Sequence, residues 1–259
     1  MSSRNSNESK YSSYLTKLAH GCSPFIAAFL VIHLAAPIAA GVGGSSASSR
    51  VMVGEIAIRM ALVTYATMKL LGREYYQTAL GEPLLIIAPI ALHVGAGVAK
   101  RLLSGSPGRQ PRPLTRILTW TGYTLGVLFL PIHYITHRVY PTVKDYPIDA
   151  IGPAELDYEF VKYGLQRWPA ISWALYAGLV GCVVLHGVAG LEIIWQTWVG
   201  NTGGTKRKAG SVNKVAAASG IVAPVVLGIF ALSREPLMTF PSTVARFEAV
   251  FQRSWIYRI

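Results

Sequence analysis

Five stretches of the chain, roughly 24 to 42, 83 to 102, 114 to 137, 169 to 196 and 215 to 232, are apolar for about the 20 residues an α-helix needs to cross a bilayer. In hydrocarbon every backbone N–H and C=O must find its partner within the segment, so each stretch is read as a helix. The expected fold is an all-α integral membrane bundle of five transmembrane helices. Composition agrees, with 52% hydrophobic and only 14% charged residues in 259. A sixth stretch, 51 to 71, holds Glu55, Arg59 and Lys69 among apolar residues at helical spacing. Charges inside lipid are costly, so an amphipathic helix lying at the interface fits it better than a span.

The formal charge of +12 raises the question of a polyanionic partner. The cations lie between spans, however, where they set topology, and nucleic acid is excluded as a partner. With five spans, the N-terminus and the loops 100–116 and 206–214 share one side, called side A, and those loops hold five and four cations and no acid. The loop 138–168, where Asp145, Asp149, Glu155, Asp157 and Glu159 offset its cations, faces the opposite side B. Side A is therefore the cytosol-like side. Residues 1–17 form a polar tail without the apolar core of a secretory signal. Residues 233–259 end the chain, and Val244, Phe247, Val250 and Phe251 share one face there, as in an interfacial anchor helix. Cys22 and Cys182 fall in spans, so no disulfide framework is expected.

A weak duplication runs through the bundle. "HGCSPFIAAFLVIHLAAP" and "TGYTLGVLFLPIHYITHRVYP" each carry a Gly, then "IH", then a terminal Pro, while "LIIAPIALHVGAGVAKRL" and "LVGCVVLHGVAGLEII" each carry Leu-His with Gly four residues on. The unit is two spans with one histidine each: repeat one 18–102, repeat two 114–197, and an extra span 215–232. Two parallel copies pair His33 with His133 and His93 with His186. At 1.5 Å per residue the first pair lies roughly 8 to 12 Å from side B, and the second roughly 10 to 15 Å from side A. Paired inward histidines at matching depth are a way for a bundle to hold b-type haem, up to two per chain, with both axial positions filled by imidazole. Gly97, Gly190 and Gly126 would let the macrocycle approach the backbone. A lone histidine in a span more often bonds a neighbouring helix, and glycines more often serve helix packing. His20 and His137 have no mate at matching depth and read as packing or span-end residues. Glu192 reads as the partner of a side-A cation. Among the chemistry-bearing motifs there is no phosphate loop, cysteine cluster or nucleophilic triad, and soluble-type catalysis is not expected.

Two resemblances add to this reading. Four histidines on successive spans, with "VLHGVAGLEII" as the closest piece, resemble the dihaem cytochrome b anchor subunit of succinate dehydrogenases and fumarate reductases. That resemblance implies an iron-sulfur subunit and quinone as partners. "GYTLGVLFLPIHYITHRVYP" and "ALYAGLVGCVVLHGVAGLEIIW", with the His137 to Pro141 ending, look like the transmembrane domain of the fungal mitochondrial outer-membrane adaptor family. This one implies a multi-pass protein of a mitochondrial membrane, the outer rather than the inner, that serves lipid homeostasis and membrane contact by recruiting a bridge-like lipid-transfer protein. The family's recruiting Pro-x-Pro peptide is expected in the N-terminal tail. Here the tail has no proline before Pro24, and Pro111 and Pro113, in a side-A loop, form the Pro-x-Pro sequence. The adaptor reading on a cytochrome b-like bundle comes first, and the anchor subunit is the alternative.

Overall fold

A computed structural model describes residues 2–53, 77–103, 113–152, 155–199 and 214–258. Every regular element among them is helical. We label them α1 (Ser2–Val53), α2 (82–103), α3 (113–139), α4 (Tyr158–Arg167), α5 (Pro169–Trp198), α6 (Lys214–Arg234) and α7 (Pro241–Arg253). Four helical stretches are long and apolar enough to cross a membrane: Lys10–Ser49, Glu82–Leu103, Pro169–Trp198 and Val215–Arg234. The chain is thus a multi-pass membrane protein whose helices contact the bilayer. The candidate interfacial segment 51 to 71 lies outside the described residues beyond Val53, as does the loop 206–213.

The remaining expected span is α3, which runs without a break from Pro113 but changes type along its length. Two π-helical turns, Leu125–Phe129 and Ile135–Val139, flank a short α-helical stretch, Leu130–Tyr134. Each π turn ends two residues before a proline, Pro131 or Pro141. Proline has no N–H for the carbonyl one turn back, and a shift to the next donor keeps the ladder satisfied. A 3-10 turn, Tyr140–Thr142, then closes the helix.

The residues form two compact units. The first takes residues up to His33 together with 52–112, so its described parts are the start of α1 and α2. There the His93 ring Nδ1 lies 3.0 Å from the Ala19 carbonyl, and Lys100 Nζ donates to Thr16 Oγ1 at 2.7 Å.

The second unit takes residues 34–51 and 113 onward. Helix α1 breaks inside it, at Gly43 and Gly44, and residues 45–51 double back so that Ser48 Oγ donates to the Ala36 carbonyl at 2.6 Å. Gly44 has φ +67°, a left-handed conformation that costs other residues about 1 kcal/mol, and the Glu235 carboxylate occupies the space a side chain there would need. An apolar cluster joins Leu165 of α4, Tyr176, Val180 and Val184 of α5, and Ala218, Val225 and Ile229 of α6.

A second cluster caps this unit: Ile148, Ile151, Phe160, Tyr163, Trp168, Phe247, Val250, Phe251 and Tyr257. It joins the loop after α3 to α4 and α7. The apolar face of α7 is therefore buried in protein, which corrects the reading of the C-terminal segment as a membrane anchor. Aromatic residues of α4 supply an alternative to lipid: Phe251 stacks on Phe160 at 4.4 Å between ring centroids, in the space above Gly164. Because α4 and α7 meet, the chain between them leaves this face and returns to it. Helices α5 and α6 are the outward and return legs.

Candidate functional site

The end of α3 brings His133 and His137 together with Tyr176 of α5. His137, on the second π turn, places Nδ1 3.0 Å from the His133 carbonyl and Nε2 2.9 Å from Tyr176 Oη. A carbonyl can only accept, so Nδ1 carries the proton and Nε2 accepts the Tyr176 hydroxyl. The His133 and His137 rings stack at 4.3 Å. Edge contacts from Phe160 at 5.3 Å and Phe251 at 6.5 Å to His137 tie this cluster to the cap. Beside it is a cavity of about 10 Å³, the room of one water molecule, lined by His133, Thr136, Tyr176 and Tyr257 among others. Thr136 is 1% exposed, and its hydroxyl has no hydrogen-bond partner among the described residues.

Below the cap a second polar cluster centres on Lys162 of α4, which is fully buried. Its ammonium pairs with Glu159, reaches Glu235 Oε2 at 3.4 Å and donates to the Pro236 carbonyl at 2.9 Å. Glu159 Oε2 in turn accepts from the Met238 N–H at 2.7 Å, and Gln166 donates to the Glu235 carbonyl. The other oxygen of Glu235 accepts from the Ser45 N–H at 2.9 Å, at the start of the doubled-back segment of α1. Burial works to raise the Glu235 carboxyl pKa, but the Ser45 hydrogen bonds and Lys162 together outweigh it and hold the group below the ordinary carboxylate range. One carboxylate thus fastens α1, α4 and the end of α6.

Arg246 of α7 closes the cap's rim. It donates to the Ile148 and Asp149 carbonyls and pairs with Glu155 at 2.8 Å. Glu155 is held below its usual pKa by the Gly152 N–H and then by Arg246. Burial, with Glu248 adding to it, pushes the Tyr163 hydroxyl up to about 12.

The four histidines expected to hold haem divide between the units: His33 and His93 in the first, His133 and His186 in the second. Each expected pair draws one residue from each, so the fit is judged residue by residue. His93 Nδ1 faces the Ala19 carbonyl and carries the proton. His186 Nδ1 lies 3.1 Å from Thr121 Oγ1, whose own proton goes to the Ile117 carbonyl at 2.7 Å, so His186 also donates from Nδ1. Imidazoles held this way present Nε2 as the lone-pair nitrogen, the form that binds a metal, and the donor chemistry fits an axial ligand. His33 stacks on Phe29 at 5.2 Å. His133 stacks face to face with His137 at 4.3 Å and lines the one-water cavity. Pro111 lies outside the described residues, and Pro113 begins α3.

In the sequence His137 reads as a span end and Lys162 as one cation of the loop 138–168, while nothing local marks Thr136 or Tyr176. The available signal was Glu235 itself, a lone carboxylate directly after the last apolar run and before a proline.

Set against known proteins, residues 128–235 match the family model of the MDM10-complementing protein 1 transmembrane domain. No curated protein and no solved structure matches the chain. The matched stretch starts within α3, ends at Glu235, and includes His137, Lys162 and Tyr176. The likeness to the fungal mitochondrial adaptor family carried by "LPIHYITHRVYP" and α5 is thereby supported, and from residue 128 to 235 the chain is similar to the transmembrane domain of MDM10-complementing protein 1.

Proposed function

We propose that the chain is a five-span scaffold of the mitochondrial outer membrane that serves lipid homeostasis by presenting side-A segments to a partner. The family match over residues 128–235 is the observation behind this reading. The matched stretch holds the His137–Tyr176 and Lys162–Glu235 contacts, which suit a rigid mount better than a moving catalyst. With α3 counted as the fifth span, the cap lies on side B and the N-terminus and the loops around Pro111 and Pro113 on side A. A bridge-like lipid-transfer protein would then be recruited through Pro111 and Pro113 from the cytosol.

The test is protease protection on intact mitochondria, with one epitope tag in the loop 200–213 and another at the C-terminus. Cleavage of the loop tag with the C-terminal tag protected agrees with the proposal. The reverse pattern, or protection of both until the inner membrane is opened, rejects it. Loss of the lipid-transfer partner on replacing Pro111 and Pro113 by Ala assigns the docking peptide, and unchanged co-purification removes it from that role.

A second reading keeps haem b, favoured by the Nδ1-anchored rings of His93 and His186. Haem, when bound, supplies one-electron chemistry. A reduced-minus-oxidised absorption spectrum of the purified chain tests this. Sharp α and β bands abolished by His186→Ala support it, and a colourless folded protein ends it. Co-purification of flavoprotein and iron-sulfur subunits would favour the anchor-subunit alternative.

A further inference from the structure

Thr16, Thr121, Thr124 and Thr197 each donate the hydroxyl proton to the carbonyl four residues back, at 2.7 to 2.8 Å, and so satisfy the hydroxyl within its own helix. Thr136, on the π turn Ile135–Val139, makes no such bond. It is 1% exposed, and its hydroxyl has no other partner among the described residues. Burying a hydroxyl without a partner costs free energy, so the surroundings of Thr136 are where a partner is to be sought. Thr136 lines the cavity of about 10 Å³, which has room for one water and nothing larger.

Two tyrosines line the same cavity, and the protons of both are already committed. Tyr176 gives its proton to His137 Nε2. Tyr257, in the C-terminal 3-10 turn Trp255–Tyr257, hydrogen-bonds Ser172, whose own proton goes to the Gly164 carbonyl at 2.7 Å, so Tyr257 is the donor of that pair. Each phenol oxygen is then left as an acceptor only. The two side chains also lie within electrostatic reach of each other. Phe129, Ile132 and Leu175 supply apolar wall. One hydroxyl with a proton to give and two oxygens that can only accept are the complement of a water molecule, and buried waters typically make about three hydrogen bonds. We propose that this cavity is an internal water site: one ordered water accepts from Thr136 and donates to Tyr176 and Tyr257, joining α3, α5 and the C-terminal turn. The site lies within the second unit and stands apart from the adaptor and haem readings.

Radiolytic footprinting of the full chain in nanodiscs, read by mass spectrometry, oxidises a buried side chain where a bound water is split beside it. Tyr176 and Tyr257 are expected to be oxidised, while Phe247, equally buried in the cap and away from the cavity, is not. Tyrosines no more reactive than Phe247, after correction for intrinsic reactivity, would mean a dry cavity and overturn the site. Thr136→Val keeps the shape and removes the hydroxyl, so the oxidation should be lost, and Thr136→Ser should restore it. Unchanged oxidation in Thr136→Val would trace the reactive water to bulk solvent and overturn the proposal as well. The thermal midpoint gives an independent sign. A hydroxyl held by water makes Thr136→Val a loss, a fall of about 2–4 °C. A hydroxyl buried dry makes the same change a gain, so a rise or no shift rejects the site. Should Thr136→Val fail to fold, the wild-type footprint still decides.

Discussion

The cap and the apolar helices of the second unit are built from one stretch of chain but held by different forces. In the cap, nine buried apolar side chains pack as in a protein dissolved in water, and ion pairs such as Arg246 with Glu155 close the rim. Between α1 and α6 the contact is backbone on backbone: Gly228 lies so close to the Pro37 carbonyl that a side chain there would collide, and Gly41 packs beside it. Lipid tails are as apolar as leucine, so burying apolar area gains little between spans, and close approach through small residues takes over. The same substitution should therefore have opposite consequences in the two regions, because removing bulk harms the cap and adding bulk harms the spans.

The largest expected effect is Phe251→Ala. Its ring stacks on Phe160 and fills the space over Gly164, and its loss should cost about 3–5 kcal/mol. Trp168 lies in the same cluster, so its fluorescence should report an earlier transition while the helical circular dichroism of the spans persists. If both signals move together, cap and spans melt as one body and the contrast fails. Gly228→Ala comes next, at about 1–3 kcal/mol from overpacking against Pro37, with the helical signal shifted and the Trp168 transition in place.

Acid should act on the cap and its fastening. Glu155 and Glu235 both have folded-state pKa values below their ordinary ones. Their contribution is fully present above the ordinary carboxylate pKa and is lost as pH falls below it towards the folded values. The midpoint reported by Trp168 should therefore drop over that range, and Glu235→Gln should flatten the dependence at a cost of about 1–3 kcal/mol at neutral pH. A wild-type midpoint independent of acid would remove these carboxylates from the cap's stability. The smallest effect is a gain. Ala150 adopts φ +50°, so Ala150→Gly should relieve about 1 kcal/mol, read as a small rise in the same midpoint. A fall would mean that the freedom gained by the unfolded chain outweighs the relief.

The spans were legible because lipid imposes a length and an apolar content on each segment by itself. The expected stretches 83 to 102, 169 to 196 and 215 to 232 differ from α2, α5 and α6 by at most two residues at either end. Of helix α1 the part from 24 to Val42 was legible, where the paired glycines end the apolar run, but not its start at Ser2, which takes in the stretch read as a polar tail. The site was less so. Helical spacing showed that α7 has an apolar face, but spacing cannot say whether lipid or Phe160 covers it. His137 looked like a span end because its hydrogen-bond partner, Tyr176, is 39 residues away. Lys162 counts in the sequence only as one cation of the loop 138–168, because Glu235, which it meets, is 73 residues away.

Alone, the sequence determined that this chain is a helical, multi-pass membrane protein with a family likeness centred on the end of its third apolar run. Each of those properties follows from residues adjacent along the chain, through transfer energies and backbone hydrogen bonds that close within a few residues. Only the tertiary structure decided that α7 belongs to a protein cap, that His137 pairs with Tyr176, and that one carboxylate fastens three segments. Those depend on which distant groups meet, and a buried polar group takes whichever partner the packed helices place within hydrogen-bond reach.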